Sequence, residues 1–357
     1  MRPYFRSLDG LRCLAILPVI WHHSTPRPLE GVLGRGPLGV DLFFAISGFL
    51  ITSLLLHERR ETGSVALGKF WLRRGLRIAP LYYLVLGAFV IHALLVRAHG
   101  PARDHFLACV PLYATYTSNW FVHGAIPHPI VFAFAWSLAA EEQFYALWPP
   151  VLRFVRGTAL PALVMSLVVV ADQAAERGAI SFLAQDGLAL RVLRSFATPI
   201  GLGALLAIGI DERHISPVLR SALAQRWSSA VALTVVGLAA ILGWPLLTTH
   251  IAMTALVGAC ALRGDHLLAP LLDHRAVRHV GTVSYGMYLL NVPVVSACRW
   301  LLHRVDPDEN IVVLFVVSTA ATIAFATIVF RFVESPFLAL RARFSPSSPS
   351  SPRAHST

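Results

Sequence analysis

Four short stretches hold side chains whose types and spacing could do chemistry. Arg12 and His23 are eleven residues apart in the first apolar run. On a helix they lie about 20° from a common face and about 16 Å apart along the axis. One helix then carries a cation near one end and, near the other, an imidazole, the usual side chain for taking a hydroxyl proton near neutral pH. His22 competes for that role, pointing about 100° away. The plainer reading is a snorkelling arginine and an interfacial histidine. In GVDLFFAISGFLIT (39–52) Asp41 opens an otherwise apolar run, where a carboxylate is costly unless partnered. Ser47 and Gly48 follow, small enough to admit a thin ligand or a neighbouring backbone. In FWLRRGLRIAPLYY (70–83) Arg74 and Arg77 are three apart and Arg73 and Arg77 four apart, so either pair shares a helix face. The guanidinium fork suits the phosphates of a phosphorylated cofactor or of lipid headgroups. In WSLAAEEQFYALWPP (136–150) Glu141, Phe144, Tyr145 and Trp148 recur at helical spacing. Glu141 heads that face with Glu142 beside it, and two adjacent acids at a span's start are either functional or simply wet at an outer end.

Two later stretches read as structural. SYGMYLLNVP (284–293) places Tyr285, Tyr288 and Asn291 in an apolar helix, and RFVESP (331–336) allows a local pair between Arg331 and Glu334. No stretch has metal-ligand spacing, a Walker loop, a dinucleotide fingerprint or a G-x-S-x-G elbow. Cys13, Cys109, Cys260 and Cys298 stand alone in or beside apolar runs, giving neither a disulfide framework nor a zinc site. No metal and no permanently bound cofactor is expected.

The elements that must position these groups follow from composition. Of 357 residues 56% are hydrophobic and 14% charged, against roughly 25% charged in soluble domains. The mean hydropathy is +0.64. This excludes a disordered chain and argues against a soluble enzyme. The net charge of +11 comes from arginine clusters between apolar runs, a pattern of membrane topology rather than of nucleic-acid binding. Runs this long and non-alternating can span lipid only as helices. Eleven runs qualify, and 104–121 is interrupted by Pro111 and a polar string from Thr115 to Asn119. Leaving it out places most arginines on one side. The expectation is an all-α, polytopic bundle of about ten transmembrane helices with both termini cytoplasmic, in a bacterial plasma membrane, and 98–133 external or re-entrant. Residues 1–344 form the membrane domain, and the Ser/Pro-rich tail 345–357 is expected to be disordered. The basic residues before the first run are not followed by a cleavage site, so an uncleaved first span is expected. No internal repeat of the kind found in many transporters is visible.

LDGLR (8–12), GVDLFFAISGFL (39–50), RRGLRIAP (73–80), WSLAAEEQFY (136–145) and SYGMYLL (284–290), in that order and at these intervals, resemble the acyltransferase-3 family of integral membrane O-acyltransferases. The resemblance runs from about residue 4 to 338. It implies a ten-helix enzyme that takes an acyl group, usually acetyl, from cytoplasmic acyl-CoA and passes it to a hydroxyl of a sugar on a surface glycan or a glycosylated metabolite. The family's Arg-x10-His motif falls on Arg12 and His23, its Arg-x-x-Arg motif on Arg74 and Arg77, its Ser-Gly-Phe-Leu motif on residues 47–50, and its acidic motif on Glu141 and Glu142. The implied mechanism seats CoA phosphates on Arg74 and Arg77 and threads pantetheine past Ser47 and Gly48 to His23. His23 is then the general base, Glu141 or Glu142 orients or charges it, and Arg12 assists by charge. Asn291 stands where relatives often have histidine, and the expectation is that the hydrolase-like domain some relatives carry plays no part here. The rival expectation is a proton-coupled transporter or flippase for a glycan or lipid, which would also need intramembrane His, Asp and Glu.

Overall fold

The computed structural model describes residues 5–25, 34–96, 99–122, 132, 134–180, 187–211, 217–304 and 310–342. The tail 345–357, and part of the segment 98–133, lie outside the described residues. Within them the chain is all-helical, as the non-alternating apolar runs require. In order these are α1 (Arg6–Ser24), α2 (Leu38–Thr62), α3 (Leu67–Leu95), α4 (Pro101–Ala114), α5 (Ser118–Phe121), α6 (Ala135–Phe154), α7 (Ala159–Glu176) and α8 (Leu188–Arg194). There follow α9 (Thr198–Asp211), α10 (Pro217–Leu223), α11 (Ser228–Leu242), α12 (Leu246–Leu262), α13 (Ala269–Leu272), α14 (Arg275–Leu302), α15 (Ile311–Val329), a π-helical turn (Phe330–Glu334) and α16 (Ser335–Ala342).

Among the described residues four helical stretches are long and apolar enough to cross a membrane: α2, α3, α7 and the run Ile311–Leu340. Two bent pairs, α8 with α9 at 46° and α10 with α11 at 86°, raise the number to six. The expected count of about ten is therefore reached only if more polar or shorter helices also cross. α1, α6 and α14 have 19, 20 and 28 residues, and a rise of about 1.5 Å per residue makes even α1 about as long as a hydrocarbon core is thick. The run 104–121 is two helices parted at Tyr116, whose φ is 54°. The run 188–210 breaks before Thr198, where Asp172 of α7 accepts from the Thr198 N–H at 3.0 Å and from its hydroxyl at 2.5 Å, capping the start of α9.

Large apolar side chains cover the outside of the bundle, among them Leu84, Ile91, Leu163, Leu167, Val316 and Ile328. A water-soluble surface does not carry apolar area on this scale, and the chain is a membrane protein. Lipid gives helices no hydrophobic reason to associate, so close approach at small residues holds them. α2 packs most extensively on α9, and its closest contacts explain why: a Cβ on Gly48 would strike the Ile200 carbonyl, and one on Gly203 the Ala45 carbonyl.

α2 and α6 run side by side in the same direction. Phe44 meets Trp136, Ser47 meets Glu141, and Thr52 accepts from the Trp148 indole at 2.8 Å. Arg59 then donates to the carbonyls of Leu152, Val155 and Gly157, and Arg153 to that of Val65. These bonds fix α3 as well, because Glu58 holds the Ala66 N–H (3.0 Å) and the Arg73 guanidinium (3.1 Å) at the turn before and start of α3. At the other end of the chain the π turn rotates Glu334 inward against Gly286, while Arg331 faces out. The local Arg331–Glu334 pair expected from the sequence is not formed, since a five-residue turn moves the two side chains off one face.

Candidate active site

A narrow cavity of about 90 Å³ lies between α1, α2, α3, α6 and α14. Along α2 its lining runs from Val40 to Leu50, ten residues and about 15 Å of rise. It is a slot, with Val40 and Ser137 toward one end and Leu50, Arg74 and Tyr145 toward the other.

Glu141 sits in the middle. Its Oε1 accepts from the Ser47 hydroxyl and, at 3.0 Å, from the Tyr145 hydroxyl one helical turn on. Two charge-assisted hydrogen bonds fix this carboxylate across the slot. Around it converge three guanidinium groups from helices distant in sequence. Arg12 reaches in from α1 while bonded to Asp9 at 2.8 Å. Arg74 lies 4.9 Å from the centre of the Tyr145 ring, within cation–π range. Arg77 lines the same wall one turn further along α3. Arg73 turns away to Glu58, so of the two arginine pairs left open by spacing it is Arg74 and Arg77 that share the slot.

The placement of the expected site residues is thus uneven. Arg12, Ser47, Arg74, Arg77 and Glu141 come together in one cavity. Gly48 does not join them: it faces α9, pressed against the Ile200 backbone. Glu142, about 100° further round α6, is half-buried and is not among the slot's lining residues, though it lies within electrostatic reach of Tyr82, Tyr116 and Tyr285. His23 is half-buried, its ring edge-on to His22 at 5.3 Å between centroids. Gly39, beside the slot's end at Val40, meets α1 at Ala15 and Val19, so His23 lies one to two turns, about 6–12 Å of helix rise, past that end. The expected passage from the arginines to the imidazole therefore extends to Val40 and Ser137, and His23 is not among its lining residues.

Sequence reasoning missed the α14 wall. Ser284, Tyr285 and Tyr288 line the slot. The Tyr285 hydroxyl donates to the Ile78 carbonyl at 2.8 Å, and that of Tyr288 meets Ser137 at 2.6 Å and Phe134 O at 3.0 Å. The signal was there, since three hydroxyls fall on nearly one face of an apolar helix, but it did not tell a packing face from a cavity wall. Asp41, singled out as costly unless partnered, has its partner in the His250 imidazole of α12 at 3.2 Å, 209 residues away and invisible to local spacing.

A family model described as an acyltransferase domain, of the acyltransferase-3 type, matches residues 5–331. The peptidoglycan O-acetyltransferase OatA of Listeria monocytogenes is 29% identical over 94% of this chain and 56% of its own length. A putative O-acetyltransferase of Staphylococcus aureus is 28% identical over 94% and 57%, and the O-acetyltransferase OatA of that species 26% over 93% and 57%. The chain thus spans a little over half the length of these relatives. No solved structure matches it.

Proposed function

The chain belongs to the acyltransferase-3 family, and from that premise we propose that it is a membrane O-acetyltransferase moving acetyl from acetyl-CoA to a hydroxyl of a sugar-containing acceptor. The observation that carries this reading is the slot, in which two arginines three residues apart, a hydrogen-bonded carboxylate and a ring of hydroxyls share one narrow cavity. Arg74 and Arg77 are the groups to hold donor phosphates, by charge and by the guanidinium fork. The slot's length, about 15 Å along α2, suits an extended pantetheine arm. Its narrowness suits a two-carbon acyl group. Curated relatives that are acetyltransferases favour transfer over the transporter alternative.

In the transfer the acceptor oxygen bonds to the thioester carbonyl carbon, the C–S bond breaks, and the hydroxyl proton passes through a base to the departing thiolate. His23 is the proposed base, with Arg12 and Glu141 supplying charge and orientation. A second assignment has a specific observation behind it: Glu141 lines the slot and His23 does not, so the carboxylate itself is the base. Glu142 then acts only through its neighbour. The wider arrangement proposed is ten spans with cytoplasmic termini in a bacterial plasma membrane. Its members are α1, α2, α3, α6, α7, the bent pairs α8–α9 and α10–α11, α12, α14 and the final run.

Purified protein with radiolabelled acetyl-CoA and a sugar acceptor tests the reading. Label in ester linkage on the acceptor supports it, and movement of acceptor across vesicles without label overturns it. His23→Ala separates the two assignments, because turnover falls by about 10² or more if the imidazole is the base and holds if the carboxylate is. Replacing Arg74 and Arg77 with Gln should weaken acetyl-CoA binding at least tenfold. Unchanged binding returns both to a purely topological role.

A further inference from the structure

A second cavity, of about 440 Å³, lies where α4, α5, the start of α6, α8 and the start of α9 meet. We infer that it is a carbohydrate-binding subsite for a pyranose ring with an anionic substituent. This rests on the acyl-transfer reading only for the identification of that sugar as the acceptor.

Size comes first. The cavity falls within the roughly 300–1,000 Å³ of small-molecule sites, whereas the slot is too small for a ring. The lining chemistry comes next. Trp136 is 45% exposed and lines the cavity, and an indole is a surface on which the C–H face of a pyranose packs. The Ser118 hydroxyl lines the same space, is 4% exposed and has no hydrogen-bond partner among the described residues. Such a group costs stability until something bonds to it. Asn119 is preorganised, exchanging bonds of 3.0 and 2.9 Å with Gln143, whose amide also donates to Tyr116 O at 2.8 Å. Arg191, which donates to the Trp120 carbonyl at 3.3 Å, and Arg194, which donates to that of Ala175 at 2.9 Å, put two positive charges on the wall, and no carboxylate is among its described lining residues. Planar amide, hydroxyl and aromatic face suit a sugar; the guanidinium groups select an acidic one.

Position separates this cavity from the donor phosphates. Trp136 precedes Tyr145, the neighbour of Arg74, by nine residues, about 13.5 Å along α6. It nevertheless adjoins the slot. Trp136 meets Phe44 edge-on at 6.0 Å, Phe44 lines the slot, and so does Ser137, the residue after Trp136. The Phe44 and Trp136 rings thus stand between this cavity and the slot.

The test is binding by detergent-solubilised full chain, with oligogalacturonate as the acidic probe, a cello-oligosaccharide as the neutral probe and inorganic phosphate as a bare anion, run beside the acetyl-transfer assay. Wild type should bind the acidic oligomer at least tenfold more tightly than the neutral one and show no matching affinity for phosphate. Trp136→Ala should weaken that binding at least tenfold and Trp136→Phe should restore most of it. Arg191→Gln with Arg194→Gln should erase the preference for the acid. A neutral oligomer bound equally well, phosphate bound as tightly as the sugar, or insensitivity to Trp136→Ala overturns the subsite. Binding that behaves as stated without transfer by wild type leaves the subsite standing and removes the enzyme reading. Transfer whose acceptor KM ignores all these variants does the reverse.

Discussion

Glu141 is the residue on which the slot's geometry turns, because Ser47 from α2 and Tyr145 from its own helix both donate to it. Glu141→Gln keeps the size and loses the charge. Acetyl transfer should fall by about 10² or more if that charge orients or takes a proton, and a rate within threefold of wild type would make the carboxylate a packing group. Tyr145→Phe should cost less, since Ser47 still holds the carboxylate, and measuring kcat for both variants ranks them. Arg12, Arg74 and Arg77 differ from the cluster's other arginine for a plain reason. Arg73 already has Glu58 at 3.1 Å and serves the fold.

At the scale of elements, the slot keeps its width because α2 cannot shift on α9. Gly48→Val puts a side chain against the Ile200 backbone, which cannot rotate away as a side chain could. Overpacking costs about 1–3 kcal/mol, so the Tm in detergent should drop and the acetyl-CoA KM rise as α2 tilts. An unchanged Tm would show that the helices separate freely there. A second junction responds to pH. In the turn after α12, His266 meets Ser7 of α1 at 2.9 Å, Ser7 donates to Asp273 at 2.9 Å, and Asp265 and Asp273 are the nearby carboxylates. Burial outweighs them and holds the imidazole below its ordinary 6.5. As pH falls through 6.5 the unfolded chain takes up this proton before the folded one does. Stability from this site is therefore complete above 6.5 and is lost as pH drops below it. The Tm should decline between pH 7.5 and 5.5, and His266→Gln should flatten that decline; an equal slope in the variant would place the sensitivity elsewhere.

At the scale of the whole molecule, Arg59 and Arg153 lock the α2–α3 turn to the end of α6, so these ends lie together on one side. The proposed ten-span arrangement would put them in the cytoplasm. Cysteines introduced as Ser64→Cys and Gly157→Cys should resist an impermeant thiol reagent in intact cells, and Gly100→Cys and Gly178→Cys should react, the four native cysteines being buried. Labelling of 64 with 100 on the same side would remove α3 as a span.

Much of this was legible in the chain itself. Apolar runs of span length fixed an all-helical membrane protein, because lipid leaves backbone groups no other partner. Spacing alone placed Glu141 with Tyr145 and Arg74 with Arg77, since neighbours at i+3 and i+4 share a face in any helix. Tertiary structure decided what those faces meet. Arg12, Ser47, Glu141 and Tyr288 share a cavity although four helices supply them, Gly48 turns to α9 while Ser47 beside it turns to the slot, and His23 stands past the end of the cavity it was expected to terminate. Helical periodicity specifies angle and rise within one element; which neighbour lies across a face depends on how helices far apart in sequence pack together.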